Sequence, residues 1–185
     1  MAKHVERPIV FPLSNPTKLH EANPEDLYEW TKGHVLVATG SPFPAVKYAD
    51  REYEIGKKPR HPSDKQINVL NPDVLAQCNN SVCFPGIGLG AVLSQSRLVT
   101  KTMIVIAVEA LKERSPALRD ASLPLLPNVD EVREISIDIA AAVIKTSVQE
   151  GLAQADWIPE DDSDLRLWIQ AQMWEPFYRP LVKVE

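Results

Sequence analysis

The chain has 185 residues, 44% of them apolar, which is enough for one domain with a core and too many for a disordered chain. A formal net charge of −5 argues against nucleic acid or an anionic membrane as the main partner, because both call for a basic face. The start, MAKHVERPIV, holds no apolar core of signal-peptide length, and the longest apolar run, MIVIAVEAL, is too short to cross a bilayer. The expectation is a soluble intracellular protein of the cytoplasm or mitochondrion, with neither nucleic acid nor membrane as partner.

In chain order, Arg7–Leu13 (RPIVFPL) is a short apolar run bounded by proline, a buried-strand pattern. The turn-rich SNPTKLHEAN comes next as a loop. NPEDLYEWTKG predicts a helix with both ends marked. Asn23 caps it, Pro24 suits its first turn, Glu25 and Asp26 suit its positive end, and Gly33 stops it. His34–Gly40 (HVLVATG) reads as a second buried strand. Strand, helix, strand implies a parallel pair. The loops after the two strands, SNPT (Ser14–Thr17) and GSPF (Gly40–Phe43), should therefore leave on one edge of the sheet. That carboxyl edge is where open α/β sheets hold their ligands. A third strand is expected within KYADREYEI. So few parallel strands leave open edges and uncovered apolar surface, so the chain reads as the last part of a larger doubly wound domain.

Gly56–Leu75 carries three prolines, a basic start and neither periodicity. It reads as a long structureless excursion, either a disordered insertion or a basic loop for phosphates. The remainder of the chain is helical. One helix runs from near Pro85 to about Arg97, and a second covers Thr100–Arg114. A third covers Asn128–Gly151, with Val132, Ile135, Ile139 and Val143 on one stripe and Gly151 at its end. A last amphipathic helix, DSDLRLWIQAQMW, takes Asp162 or Ser163 as its cap. The expected architecture is α/β: a partial Rossmann-like doubly wound parallel sheet of few strands in residues 1–127, and a helical segment, 128–185, packed on it.

QCNNSVCFPGIGLGA contains Gly86, Gly88 and Ala91 at the spacing of a dinucleotide fingerprint. The fingerprint needs a strand before its first glycine, and Pro85 stands where that strand would need a ladder donor. Glu109 has the spacing of the ribose-binding acid but sits in a helical pattern. A helix start with small residues, allowing close approach of another backbone, fits better. Asn79 and Asn80 stand just before it. Two amides can hold a small anion without adding charge, and the same residue types serve equally as an Asx turn or a helix cap. Cys78 and Cys83 are expected as free thiols, since four scattered histidines and two cysteines make no structural metal site.

Taken in order, PIVFPLSNPT, GSPF and CNNSVCFPGIGLG resemble the C-terminal part of the malic enzymes. The resemblance continues through SLPLLPNVDEVREISIDIAAAVI and WIPEDDSDLRLWIQAQMWEPFYRPL. It implies the end of an NAD(P)-binding domain plus a helical tail. The activity implied is oxidative decarboxylation of L-malate to pyruvate and CO2, with NAD or NADP and with Mg2+ or Mn2+. By resemblance, Asn15 touches substrate and the nicotinamide side, Asn79 and Asn80 bind the malate carboxylate, and Gly40, Ser41 and Pro42 lie near the nicotinamide. The family's catalytic tyrosine and lysine, its metal carboxylates and its dinucleotide loop have no counterpart in this sequence. The isolated chain is therefore expected to be inactive, with no catalytic residue and no metal ligand of its own.

In the family, YEI runs almost directly into AQCNN, so residues 56–75 are expected to be a non-native insertion, a retained intron in the gene. Met1 corresponds to an internal family position, so a late start is expected as well. The partners implied are malate or pyruvate and NAD(P) in the complete enzyme, within a homo-oligomer or with full-length subunits. The alternative is a non-catalytic module that holds NAD or docks on full-length malic enzyme.

Overall fold

The computed structural model describes residues 3–41, 43–49, 51–55, 74–120, 123–175 and 177–178. Five strands form one sheet: β1 (Ile9–Val10), β2 (Leu36–Thr39), β3 (Val46–Tyr48), β4 (Arg51–Ile55) and β5 (Val74–Gln77). Their order is β1-β2-β5-β4-β3. β1 pairs in parallel with β2 (Ile9 with Leu36), β2 with β5 (Thr39 with Gln77), and β5 with β4 (Ile55 with Leu75). The helices are α1 (Pro24–Trp30), α2 (Phe84–Leu93), α3 (Lys101–Glu113), α4 (Val132–Gln149) and α5 (Asp162–Gln172). The architecture is mixed α/β with a small, mainly parallel sheet and a helical C-terminal part, as the sequence predicts.

β1 is shorter than the expected Arg7–Leu13 because Pro8 and Pro12 have no N–H to give to a ladder. Their carbonyls still take part: Leu36 N–H donates to Pro8 O at 2.9 Å and Gly40 N–H to Pro12 O at 3.0 Å. α1 begins as predicted, with Asn23 Oδ1 accepting from Glu25 N–H at 3.2 Å. It ends where Lys32 and Gly33 turn left-handed (φ 53° and 78°) and Gly33 N–H returns to Tyr28 O at 2.8 Å. Leu27 and Tyr28 of α1 pack on Val35 and Val37 and on Val46 of β3, which makes the sheet-side core.

The third strand expected within KYADREYEI is β4, which pairs in parallel with β5. Ahead of it Ala49 (φ 48°) turns the chain, so that β3 pairs antiparallel with β4. One expectation is corrected. The segment from Gly56 is not structureless to Leu75, because Val74 and Leu75 open β5, which inserts between β2 and β4. Three apolar residues before Gln77 are too few to show a period, which hid it. Residues 56–73 of the expected insertion lie outside the described residues.

α4 is the centre of the helical part. One of its faces (Ile135, Ile139, Val143) meets Met103 and Ala107 of α3. Another (Ile137, Ala140, Ala141, Ile144) meets Leu165 and Ile169 of α5. Val132, expected on the buried stripe, is only half-buried at the helix's first turn. α2 ends at Leu93 instead of Arg97, where Ser94 Oγ–H donates to Gly90 O at 2.8 Å and Gln95 turns left-handed. α5 is capped one residue earlier than expected: Asp161 accepts from Ser163 N–H (2.8 Å) and Asp164 N–H (3.1 Å). Asp138 of α4 accepts from both Arg114, at the end of α3, and Arg166 of α5, which ties three helices together. Among the described residues no helix is long and apolar enough to cross a membrane.

The glycines of the supposed fingerprint lie inside α2, which rules out the dinucleotide cradle. A Cβ on Gly90 would sit 2.8 Å from Val143 Cβ and 2.9 Å from Ala140 O. One on Gly86 would sit 2.6 Å from Ile139 Cβ. They are the sites where α2 approaches the α4 backbone. At Gly88 a Cβ meets nothing within 4 Å. Urea unfolding should therefore separate the two: Gly90→Ala is expected to lose about 1–3 kcal/mol by overpacking. Gly88→Ala should gain roughly 0.5–1 kcal/mol from backbone entropy.

Candidate functional site at the carboxyl edge of the sheet

β1, β2 and β5 are consecutive and parallel, so the loops after them leave from one edge, with neighbouring strands roughly 4.8 Å apart. The loop after β1 carries Asn15, the turn after β2 carries Gly40 and Ser41, and the segment after β5 carries Asn79 and Asn80. Every described residue of the predicted site thus belongs to one of these three exits. Pro42 lies outside the described residues.

The first two exits touch. Ser41 Oγ–H donates to Asn15 Oδ1, and Asn15 Nδ2 donates to Gly40 O at 3.5 Å. The approach is close because residue 40 is glycine: a Cβ there would collide with Leu13 O. Ser41 is held from behind by Thr39, a fully buried residue whose Oγ1–H donates to Ser41 O at 2.8 Å. The third exit is tied to the second by Cys78 N–H, which donates to Thr39 O at 2.8 Å.

The asparagine pair divides its work. Asn79 caps the short 3-10 turn Asn80–Val82, its Oδ1 accepting from Ser81 N–H at 2.9 Å. With the oxygen fixed on the backbone, the two Nδ2 donors have no partner among the described residues. Asn80 is exposed. Next along, Val82 is buried and Gly86 is pressed on α4, so the helical layer anchors the pair from one side while β5 anchors it from the other. Neutral donors of this kind suit a carboxylate or a carboxamide. They cannot move protons at neutral pH.

Two residues at this edge were not foreseen from sequence. Thr39 looked like one more strand residue, and its buried hydroxyl gives no periodic signal. Glu21 accepts from Ser14 twice, from Oγ–H at 2.7 Å and from N–H at 3.2 Å. A seven-residue gap across a turn-rich loop is not a pattern that sequence reading tests. The Ser14 hydroxyl, then backbone N–H donors, hold the Glu21 carboxyl below its ordinary pKa. Its stabilising effect is present above the unfolded carboxylate pKa and is lost as pH falls through the folded one.

Cys78 and Cys83 are free and half-buried, and burial raises both thiols above the ordinary value, which makes them poor nucleophiles at neutral pH. No group of three or more His, Cys, Asp or Glu among the described residues is placed to hold a metal ion. A catalytic divalent cation therefore does not fit the side chains described. The fit to a dinucleotide is partial. The edge offers amide and hydroxyl groups suited to a carboxamide ring, while Gly86 and Gly90 of the glycine run are taken up by packing on α4.

The family profile described as "Malic enzyme, NAD binding domain" matches residues 1–59 and 65–148. The chain belongs to the malic enzyme family. It is 42% identical over 199 residues to the mitochondrial NAD-dependent malic enzyme of Saccharomyces cerevisiae, covering 100% of this chain and 26% of that protein. It is 44% identical over 179 residues to the NAD-dependent malic enzyme of Photorhabdus laumondii, covering 97% of this chain and 27% of that one. Among solved structures it resembles the Entamoeba histolytica malic enzyme with a TM-score of 0.58 at 25% identity, over 89% of this chain and 27% of that chain. The Pyrococcus horikoshii malic enzyme shares the fold with a TM-score of 0.54 at 23% identity, over 88% of this chain and 29% of that one. The chain spans about a quarter of the length of the curated relatives it matches.

The two asparagines should behave differently in a stability assay. Asn79→Ala removes a cap and is expected to cost about 1 kcal/mol in urea unfolding, whereas Asn80→Ala should fall within roughly 0.5 kcal/mol of the parent. Equal losses would contradict the division of work.

Proposed function

We propose that the chain supplies the substrate and nicotinamide side of an NAD-dependent malic enzyme site, for oxidative decarboxylation of L-malate to pyruvate and CO2. The observation that carries this is the meeting of three parallel-strand exits bearing Asn15, Gly40 with Ser41, and Asn79 with Asn80, in a chain of this family. The Asn79 and Asn80 amides donate to a malate carboxylate. Asn15, latched by Ser41, keeps one Nδ2 hydrogen for the substrate or the ring. Hydride acceptance from the carbinol carbon is the chemistry a bound NAD would supply beside Asn15, Gly40 and Ser41. These residues orient the substrate and add no charge.

The family membership and the NAD-dependent relatives support NAD as the cofactor. Association with further malic enzyme chain belongs to the same reading, since Ile9, Phe11 and Leu13 along the open edge of the sheet are exposed and apolar.

Purified chain, freed of host malic enzyme, should give no NADH from malate, NAD and Mn2+, because amides position without transferring protons. Malate should still bind. Calorimetry should show Asn80→Ala weakening it by roughly tenfold or more, the cost of a lost hydrogen bond to a charged group. Turnover by the chain alone contradicts the positioning role, and malate affinity unchanged by Asn80→Ala contradicts the site.

A further inference from the structure

We propose that Glu21 is a positioning residue for Asn15, closing the loop after β1 so that the Asn15 amide is presented at one fixed place on the carboxyl edge. This rests on the proposed malate and nicotinamide site.

Both carboxylate oxygens of Glu21 are spent on Ser14, the residue immediately before Asn15. Oε1 takes the hydroxyl at 2.7 Å and Oε2 takes the backbone N–H at 3.2 Å. The loop between them is folded back by Leu19 N–H donating to Pro16 O at 2.8 Å. From the other side, Ser41 and Gly40 hold the Asn15 side chain. Asn15 is therefore held from two sides, through the preceding residue Ser14 by Glu21 and at its own amide by the turn after β2. Two charge-assisted bonds to one residue fix an orientation that one neutral bond leaves loose. A binding amide needs placement within about 0.5 Å to be useful, which is what such a second grip supplies.

Glu21 has no place in the sheet-side core. It is exposed, and among the described residues its side chain bonds to Ser14. A residue that served only folding would be expected among Leu27, Tyr28, Val35 and Val37, which make that core. His20, beside it, instead sets its ring edge-on to Phe43 of the GSPF turn, with centroids 4.6 Å apart, so the loop leans on the same turn that latches Asn15.

The test is nitrogen NMR of the whole chain, with the side-chain amides of Asn15 and Asn79 assigned through Asn15→Asp and Asn79→Asp. In Glu21→Ala the Asn15 amide pair should shift toward the position of a free amide as its latch to Ser41 and Gly40 loosens, while the Asn79 pair and the Tm stay where they are. Glu21→Gln, which keeps one acceptor, should restore part of the displacement. Asn15 signals that ignore both substitutions overturn the proposal. So does a loss of Tm that moves Asn15 and Asn79 together, which marks a purely structural residue. Adding malate and NAD to the parent chain then separates positioning from function. If the Asn15 signals respond to Glu21 but not to malate and NAD, the positioning stands and the proposed function fails.

Discussion

The edge that carries the candidate site depends on one constraint, that β2 pairs in parallel with β1 on one side and β5 on the other. Parallel pairing sends all three strands the same way, so their exits leave from one edge. The pairing survives proline on both flanks of β1 because a proline carbonyl still accepts where its nitrogen cannot donate. Gly40 then lets the β1 exit come so close that no side chain fits between them. Thr39, buried between, hands one hydroxyl to Ser41 and one carbonyl to Cys78, so a single residue ties the second exit to the third.

The helical part serves this edge at one remove. α4 is buried on two faces, and α2 is drawn against it by glycines that leave its backbone bare. Because α2 starts a few residues after Asn79 and Asn80, that packing sets where the pair stands. Asp138 fastens α3 and α5 to the same helix through Arg114 and Arg166. The pair is thus held between a sheet and a helix bundle, which is how neutral amides become directional.

Much of this was legible in sequence where a local rule had a local cause. Asn23, Pro24 and Gly33 mark α1 because caps and turns depend on a few adjacent residues. The helical stretches showed through their length and apolar faces. Asn15, Gly40, Ser41, Asn79 and Asn80 were picked out by resemblance, and the two parallel strands already required the first exits to share an edge. What escaped was set by contacts distant in sequence. β5 is four residues whose strand character comes from its neighbours β2 and β4. The antiparallel turn of β3 onto β4 hangs on a left-handed Ala49, which no propensity favours. Gly86, at fingerprint spacing, serves packing, since the same missing Cβ that admits a phosphate also admits a helix.

The shared edge is tested most directly by the pattern of interstrand backbone NOEs in the isotopically labelled chain. Parallel contacts in register are predicted, Ile9 with Leu36 and Ala38 with Ala76, together with a Cys78 amide protected from exchange by Thr39. Residues 78–80 without contacts to 39–41, or β5 paired in any other sense, would part the asparagine pair from Asn15 and contradict the shared edge.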